Sequence, residues 1–426
     1  MNYRSRRRSL SAVTPRLVVT PVLARVRQSM ASSSMVCTAL AAFSLPMPAL
    51  AQFTGKASAT AQYESNTNVF DLNSGSGAPS TGNTRRADTF YAYGAQFDAA
   101  YSWRRQQFYA IASTTEYNYQ RFTDLNHIGY NVDAGLKWRL AESLDGKLDV
   151  TRTRNMVPFY NLSGPAALTL SLLTEQRETA QIGLKLNSQW KLEGSAYTSK
   201  TDQPVVGAPN LQLNQTAATA SIDYLGVGGL TSGLTAGYSS GDYQGSTTLS
   251  NPSFSETTAG ILAKYKHYRT TFDGQIGYSR RVSANSSDNT SGLTGLVDFT
   301  DQLTARTSVT LKADRLINSY VLNSGSEIDT DLGASLLWQA TYKSAVALGY
   351  TFSYRDFPRQ GNNPVGSLRV DIQEYATLGI NYQPRRWLLI KPYYNAQTRR
   401  STFIGGHYSS NIYGVNVTVM TPDNRK

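Results

Sequence analysis

Apolar and polar positions alternate with a period of two from Phe53 almost to the end of the chain. Between Ile128 and Leu140, one set holds Tyr130, Val132, Ala134, Leu136, Trp138 and Leu140, and the other holds Gly129, Asn131, Asp133, Gly135, Lys137 and Arg139. A helix would scatter both sets around its circumference, whereas a strand places one on each face. The same separation sets Val346, Leu348, Tyr350, Phe352 and Tyr354 against Lys343, Ala345, Gly349, Thr351, Ser353 and Arg355. Near the end of the chain it sets Tyr413, Val415, Val417 and Val419 against Gly414, Asn416 and Thr418. The pattern predicts eighteen strands, with sixteen as the alternative, over 53–64, 88–102, 106–121, 128–140, 145–156, 175–187, 190–201, 213–224, 230–243, 254–266, 269–283, 291–300, 303–316, 327–339, 342–357, 370–383, 386–399 and 408–420. An even set of strands with one apolar face each predicts an all-β fold, a single transmembrane antiparallel barrel with lipid outside and a polar lumen inside.

The connections alternate in length. Short ones fall at 103–105, 141–144, 189, 226–229, 267–268, 301–302, 340–341 and 384–385, and the longest at 65–87, 157–174 and 358–369. Short periplasmic turns and longer outer loops give that alternation. Trp103, Trp138, Trp190, Trp338 and Trp387 all lie close to short turns. Indole favours the membrane interface, so these five are expected to form a periplasmic aromatic girdle. Phe122, Tyr243, Phe357 and Phe403 sit at the opposite strand ends and are the candidates for an outer girdle. A soluble β-sandwich with buried tryptophan is the competing architecture; strand length and the one-sided tryptophan placement disfavour it.

Composition agrees with a barrel. Hydrophobic residues make up 40% and charged residues 16% of the 426, and no apolar run reaches the ~20 residues of a membrane helix. The first 51 residues read as a signal peptide: seven arginines without an acid, the mildly apolar stretch 30–45, and Pro46-Met47-Pro48-Ala49-Leu50-Ala51 with small residues before Gln52. The barrel domain is then 52–426. Loss of those arginines lowers the formal charge from +12 to +5, so the basic balance is no nucleic-acid footprint. Cys37, the single cysteine, leaves as well.

Little chemistry is legible. His127, His267 and His407 have no metal-ligand spacing, and the sequence holds no zinc or hydrolase motif. No catalytic residue, metal or cofactor is expected, and the chain is not read as an enzyme. The polar phase carries the candidate pore lining: Asp133, Lys137, Arg139, Lys185, Lys264, Lys312, Asp329, Asp331, Lys343 and Arg355, with Glu116 and Gln120 also assigned to it. Both signs are mixed with hydroxyls and amides, a wall suited to a hydrated polar solute. Arginine pairs at 85–86, 280–281 and 399–400 near outer loops are candidates for lipopolysaccharide phosphates or an acidic polymer, and those at 104–105 and 385–386 for a periplasmic partner. The apolar connection 157–174, with Leu168, Leu170, Leu172 and Leu173, suits a lid or a membrane-facing segment better than an ion filter.

Tyr63-Glu64-Ser65-Asn66-Thr67-Asn68-Val69-Phe70-Asp71-Leu72 resembles the Tyr-x-Ser-Asn-x-Phe-type opening of the EpsL-type outer-membrane proteins. These are encoded in exopolysaccharide gene clusters, often beside an exosortase system. The end of the chain departs from many barrels, because Met420-Thr421-Pro422 and a polar tail replace a terminal aromatic. The resemblance implies a role in exporting or anchoring a polysaccharide at the cell outer membrane. The implied partners are outer-membrane lipid and lipopolysaccharide, the polysaccharide, and periplasmic export machinery. A general or solute-specific porin, and a surface interaction protein with a closed lumen, remain the alternatives.

Overall fold

A computed structural model describes residues 51–73, 86–159, 169–204, 210–245, 253–284, 289–320, 325–357, 369–402 and 406–422. The expected leader lies outside the described residues. The chain forms eighteen strands: β1 (Ala51–Asn66), β2 (Asp88–Trp103), β3 (Gln106–Tyr119), β4 (His127–Arg139), β5 (Leu144–Met156), β6 (Leu172–Lys185), β7 (Trp190–Gln203), β8 (Leu211–Leu225), β9 (Leu230–Gln244), β10 (Ser253–His267), β11 (Thr270–Ser283), β12 (Thr290–Asp301), β13 (Thr307–Tyr320), β14 (Gly325–Trp338), β15 (Ser344–Phe357), β16 (Arg369–Arg385), β17 (Leu388–Ser401) and β18 (Tyr408–Met420). Each pairs antiparallel with its neighbours in sequence, and β1 pairs with β18, which closes the barrel.

Every expected strand has a counterpart. The largest displacement is β13, which starts at Thr307 rather than 303. The residues before it form a tight turn in which Thr304 and Thr307 exchange backbone hydrogen bonds and the Arg306 amide donates to the Thr304 hydroxyl. Leu303 and Ala305 look strand-like in sequence, but Leu303 projects into solvent from this turn. β15 likewise begins at Ser344, which leaves Lys343 in the preceding turn, its ammonium 5.3 Å from the Tyr342 ring. Lys343 is therefore not part of the strand wall, a correction to its pore-lining assignment.

Directly paired residues share a face, so the register carries one phase around the whole circuit. Outward positions hold Leu136 with Leu148, Leu234 with Ile261, and Leu336 with Leu348. Leu148, Leu234, Ile261 and Leu348 are exposed on this face, and lipid covers it. Trp103, Trp190, Trp338 and Trp387 project from the turn-side end of the barrel. Trp138 takes the same level on β4, where its ring covers the face of Gly146. At the other edge of the apolar band stand exposed tyrosines: Tyr63, Tyr93, Tyr238, Tyr278, Tyr350 and Tyr413.

That tyrosine ring replaces the expected outer girdle. Tyr243 pairs with Leu213 on the inner phase, Phe357 is buried beneath the Arg369 guanidinium, and Phe122 is buried in a loop cluster. Phe403 lies outside the described residues. Glu116 needs a similar correction. It pairs with Tyr93 and Ile128, both exposed outward, so it stands on the outer surface above the apolar band. Gln120 follows it, donating to the outward Tyr91 hydroxyl at 3.2 Å.

The phase makes a direct prediction. Leu348→Arg puts a charge in the lipid band and should destabilise the barrel by about 2–4 kcal/mol. Ala347→Arg, one position along and facing the lumen, should cost less. Urea unfolding in lipid vesicles measures both, and equal costs would mean that the register is wrong. Gly135 cannot serve as the inner control on β4, because a Cβ there would lie 2.7 Å from the Tyr109 hydroxyl.

Candidate functional site: the lumen and its outer mouth

The turn-side half of the lumen is lined by lysines and carboxylates in close pairs. Lys147 meets Asp149 at 2.9 Å, Lys312 meets Asp298 at 2.9 Å, and Lys191 meets Glu193 at 2.5 Å. Lys264 on β10 reaches the other oxygen of Glu193 on β7 at 3.7 Å, spanning the two strands between them. Lys137 and Lys147 both approach the Tyr109 ring, at 5.4 and 5.8 Å. The pairs differ in exposure: Lys312 is 62% exposed and Lys264 42%, whereas Lys191 and Asp149 are largely covered. Exposed pairs of this kind contribute little to stability. Their consequence is a wall of alternating sign with no deep well for one charged solute.

Register places Asp133, Lys137, Arg139, Lys185, Lys264, Lys312, Asp329, Asp331 and Arg355 on this inner phase. They do not act together. Asp329 and Arg355 belong to a separate layer near the outer ends of β13–β17, where the ions are enclosed. There Arg355 Nε lies 2.9 Å from Asp329, which also accepts from Asn318 at 3.0 Å. Asp331 accepts from the Ser353 hydroxyl. Asp371, buried, accepts from Arg399 at 2.6 Å, from Arg369 at 2.8 Å and from the Ser401 hydroxyl. Planar guanidinium groups present several donors to one carboxylate, which suits arginine rather than lysine to this dry layer.

A third element crosses the mouth above β1–β6. Val69 and Phe70, from the connection after β1, pack inward with Phe122, Leu125, Val157 and Phe159 against the inner-wall residues Phe90, Ala92, Tyr117 and Tyr119. The Phe70 ring centroid lies 4.6 Å from Phe122 and 4.9 Å from Phe159. Leu170 and Leu173 flank this cluster, so the described part of the 157–174 connection packs against the inner-wall residues at the mouth. Two asparagines of the Tyr63–Leu72 motif make the inward turn. Asn66 Oδ1 accepts from the Asn68 amide at 2.8 Å and from Ser410 Oγ at 2.7 Å. Asn68 accepts from the Leu72 amide at 3.1 Å and donates to the carbonyls of Leu72 at 2.8 Å and Ser409 at 3.1 Å. Asparagine side chains mimic backbone groups in this way and fix a turn without a regular ladder. Beneath the cluster, buried Glu64 accepts from the Tyr393 hydroxyl, which in turn accepts from Gln62 at 2.7 Å.

Sequence reasoning singled out the motif but missed what it builds. The spacing Asn66-x-Asn68-Val69-Phe70, with turn-forming amides ahead of two apolar residues, is the local signal. Among the described residues no group of histidine, cysteine and carboxylate side chains is placed to hold a metal.

No protein-family model matches this chain, and no curated protein matches it in sequence. Solved structures are similar in architecture. The FrpB iron transporter of Neisseria meningitidis (F3-3 variant) aligns with a TM-score of 0.47 at 11% identity, over 82% of this chain and 62% of that one. OccK2 (OpdF) of Pseudomonas aeruginosa, solved in complex with glucuronate, aligns at 0.46 and 11% identity over 86% of this chain and 98% of its own. The outer-membrane protein opdK of Pseudomonas aeruginosa aligns at 0.45 and 11% over 86% and 99%. At this identity the likeness concerns barrel architecture only. The chain is a closed eighteen-stranded antiparallel β-barrel.

Proposed function

We propose that the barrel is a channel for hydrated, polar saccharide chains, and that it serves the export of an extracellular polysaccharide across the outer membrane. The observation that carries the reading is the lower lumen wall. There Lys312, 2.9 Å from Asp298, and Lys264, 3.7 Å from Glu193, stand beside carboxylates yet keep much of their surface in water. A chain passing such a wall meets many weak polar contacts and no site at which it would stall. An eighteen-stranded barrel is wide enough for an aqueous passage where loops do not fill it. The resemblance of the Tyr63–Leu72 segment to EpsL-type proteins supports the choice of a polysaccharide over a small nutrient. A solute-specific porin is the second reading, favoured by the lid at the mouth.

The test is a strain carrying the deletion, complemented with the wild-type chain or with Lys137→Gln, Lys185→Gln and Lys312→Gln combined. The deletion should abolish secreted polymer while leaving small-nutrient uptake unchanged. The triple variant, at equal barrel abundance, should secrete several-fold less of an acidic polymer. Normal secretion from both strains would overturn the export reading, and an uptake defect in the deletion would favour the porin.

A further inference from the structure

Between β12 and β13 the strand ladder stops short while both strands continue. β12 and β13 pair only between Gly295–Asp301 and Val309–Arg315. Yet β12 remains paired to β11 up to Thr290, and β13 remains paired to β14 up to Tyr320. Above Gly295 the two sides of the joint meet through side chains. Arg281 of β11, 4% exposed, donates to the main-chain carbonyls of Ile317 and Asn318 and to the Ser319 hydroxyl, each at 3.2 Å. Glu256 holds that guanidinium at 2.8 Å. The Thr290 and Ser326 hydroxyls are 3.0 Å apart.

The phases of these contacts are informative. Arg281 and Thr290 are on the inner phase, whereas Ser319 and Ser326, whose hydroxyls they meet, are on the outer phase. Inner-phase groups touch outer-phase groups only if the outer end of β11–β12 lies over the exterior of β13–β14. Ile317, an outward residue, is accordingly buried. The barrel is closed here by an overlapped seam rather than by a continuous ladder.

A second, independent observation marks the same place. Among the described strand residues, the large apolar side chains with substantial exposure belong to the outward phase, with two exceptions: Leu296, 45% exposed, and Leu316, 40% exposed. Both face the lumen, Leu296 opposite Gln275 and Asp314, and Leu316 opposite Asp329. They flank the point where the ladder stops. On the outer surface at the same level stand Arg280 and Arg315, both exposed, with Arg315 donating to the Thr330 hydroxyl at 2.7 Å.

We infer that the seam between β12 and β13 is a lateral portal between the lumen and the outer leaflet for an amphiphile with an acyl chain and an anionic head. Leu296 and Leu316 give the acyl chain apolar contact inside an otherwise polar lumen, where exposed leucine has no other partner. Arg280 and Arg315 meet the head outside. Only side-chain contacts need to part, and Arg281 is the latch. A regular ladder would have to break a row of backbone bonds for the same opening. The portal is independent of axial passage.

The experiment uses the mature chain in nanodiscs of phosphatidylglycerol, the anionic acylated probe. A photo-reactive benzoylphenylalanine replaces Leu296 or Leu316, and Thr351, on the inner phase away from the seam, in a control. The double substitution Thr290→Cys and Ser326→Cys adds a disulfide across the joint; the hydroxyl spacing suits one, and residues 52–426 contain no other cysteine. Illumination should give a phospholipid adduct at 296 and 316 at least five-fold above that at 351, and oxidation of the cysteine pair should abolish it. Folding of each variant is checked by its heat-dependent gel shift. An adduct at 296 and 316 no greater than at 351, or one that persists with the seam cross-linked, would overturn the portal.

Discussion

Phe70→Ala should destabilise the folded barrel by about 3–5 kcal/mol, the usual cost of deleting a buried phenyl ring, and should raise its single-channel conductance. The ring is 4% exposed and touches residues from two other connections, Phe122 and Phe159. Arg121 adds a polar tie, donating to the Ala87 carbonyl at 2.7 Å, while the Phe122 amide donates to Asp88 at 2.9 Å. Truncation therefore leaves a cavity at the centre of the cluster and loosens the lid at the same time. Stability is read by urea unfolding in vesicles and conductance in planar bilayers. Asn68→Ala should shift both quantities in the same direction by a smaller amount, because it removes the turn that delivers Phe70 while leaving the ring in place. A conductance unchanged in both variants would mean that the cluster does not restrict passage.

Asp371→Ala should cost about 3–5 kcal/mol, because removing one partner of a buried ionic network strands the charges that remain. Arg399, 3% exposed in its side chain, and Arg369 both direct guanidinium nitrogens at this carboxylate. Asp371→Asn should be milder, since it keeps an acceptor for Ser401. Lys312→Gln is the comparison from the wet half of the lumen. Its partner Asp298 is in water, and the loss should be within about 1 kcal/mol. Unfolding midpoints of the three variants in one vesicle preparation give the ranking; equal losses at Asp371 and Lys312 would contradict the division of the lumen into a dry outer layer and a wet inner one.

Strand phase was legible because lipid and water impose opposite demands at alternate positions, as in Ile128–Leu140. At the outer girdle, phase and strand-end position point in opposite directions. Tyr243 shares parity with Gly241 and Ser239 on the inner face, so alternation places it inside, although its position at a strand end suits a girdle. β3 was harder, because Phe108 and Tyr109, and Ala110 and Ile111, put apolar groups on both phases. Glu116 therefore had no clear phase until its pairing with Ile128 was known. The lid and the seam had no comparable signal. Phe70 meets Phe122 and Phe159, and Arg281 meets Ile317, through contacts between distant parts of the chain. No local period encodes such contacts.

The central claim is that a polar chain passes along a wet lumen beneath a partial lid. The direct measurement is ion current through the purified barrel in a planar bilayer, with an acidic oligosaccharide added to one side. A steady open-channel current is expected, interrupted by brief, concentration-dependent blocks, with the blocks becoming rarer when Lys137, Lys185 and Lys312 are changed to glutamine. A barrel that carries no current, with Phe70 intact or replaced by alanine, would contradict the account.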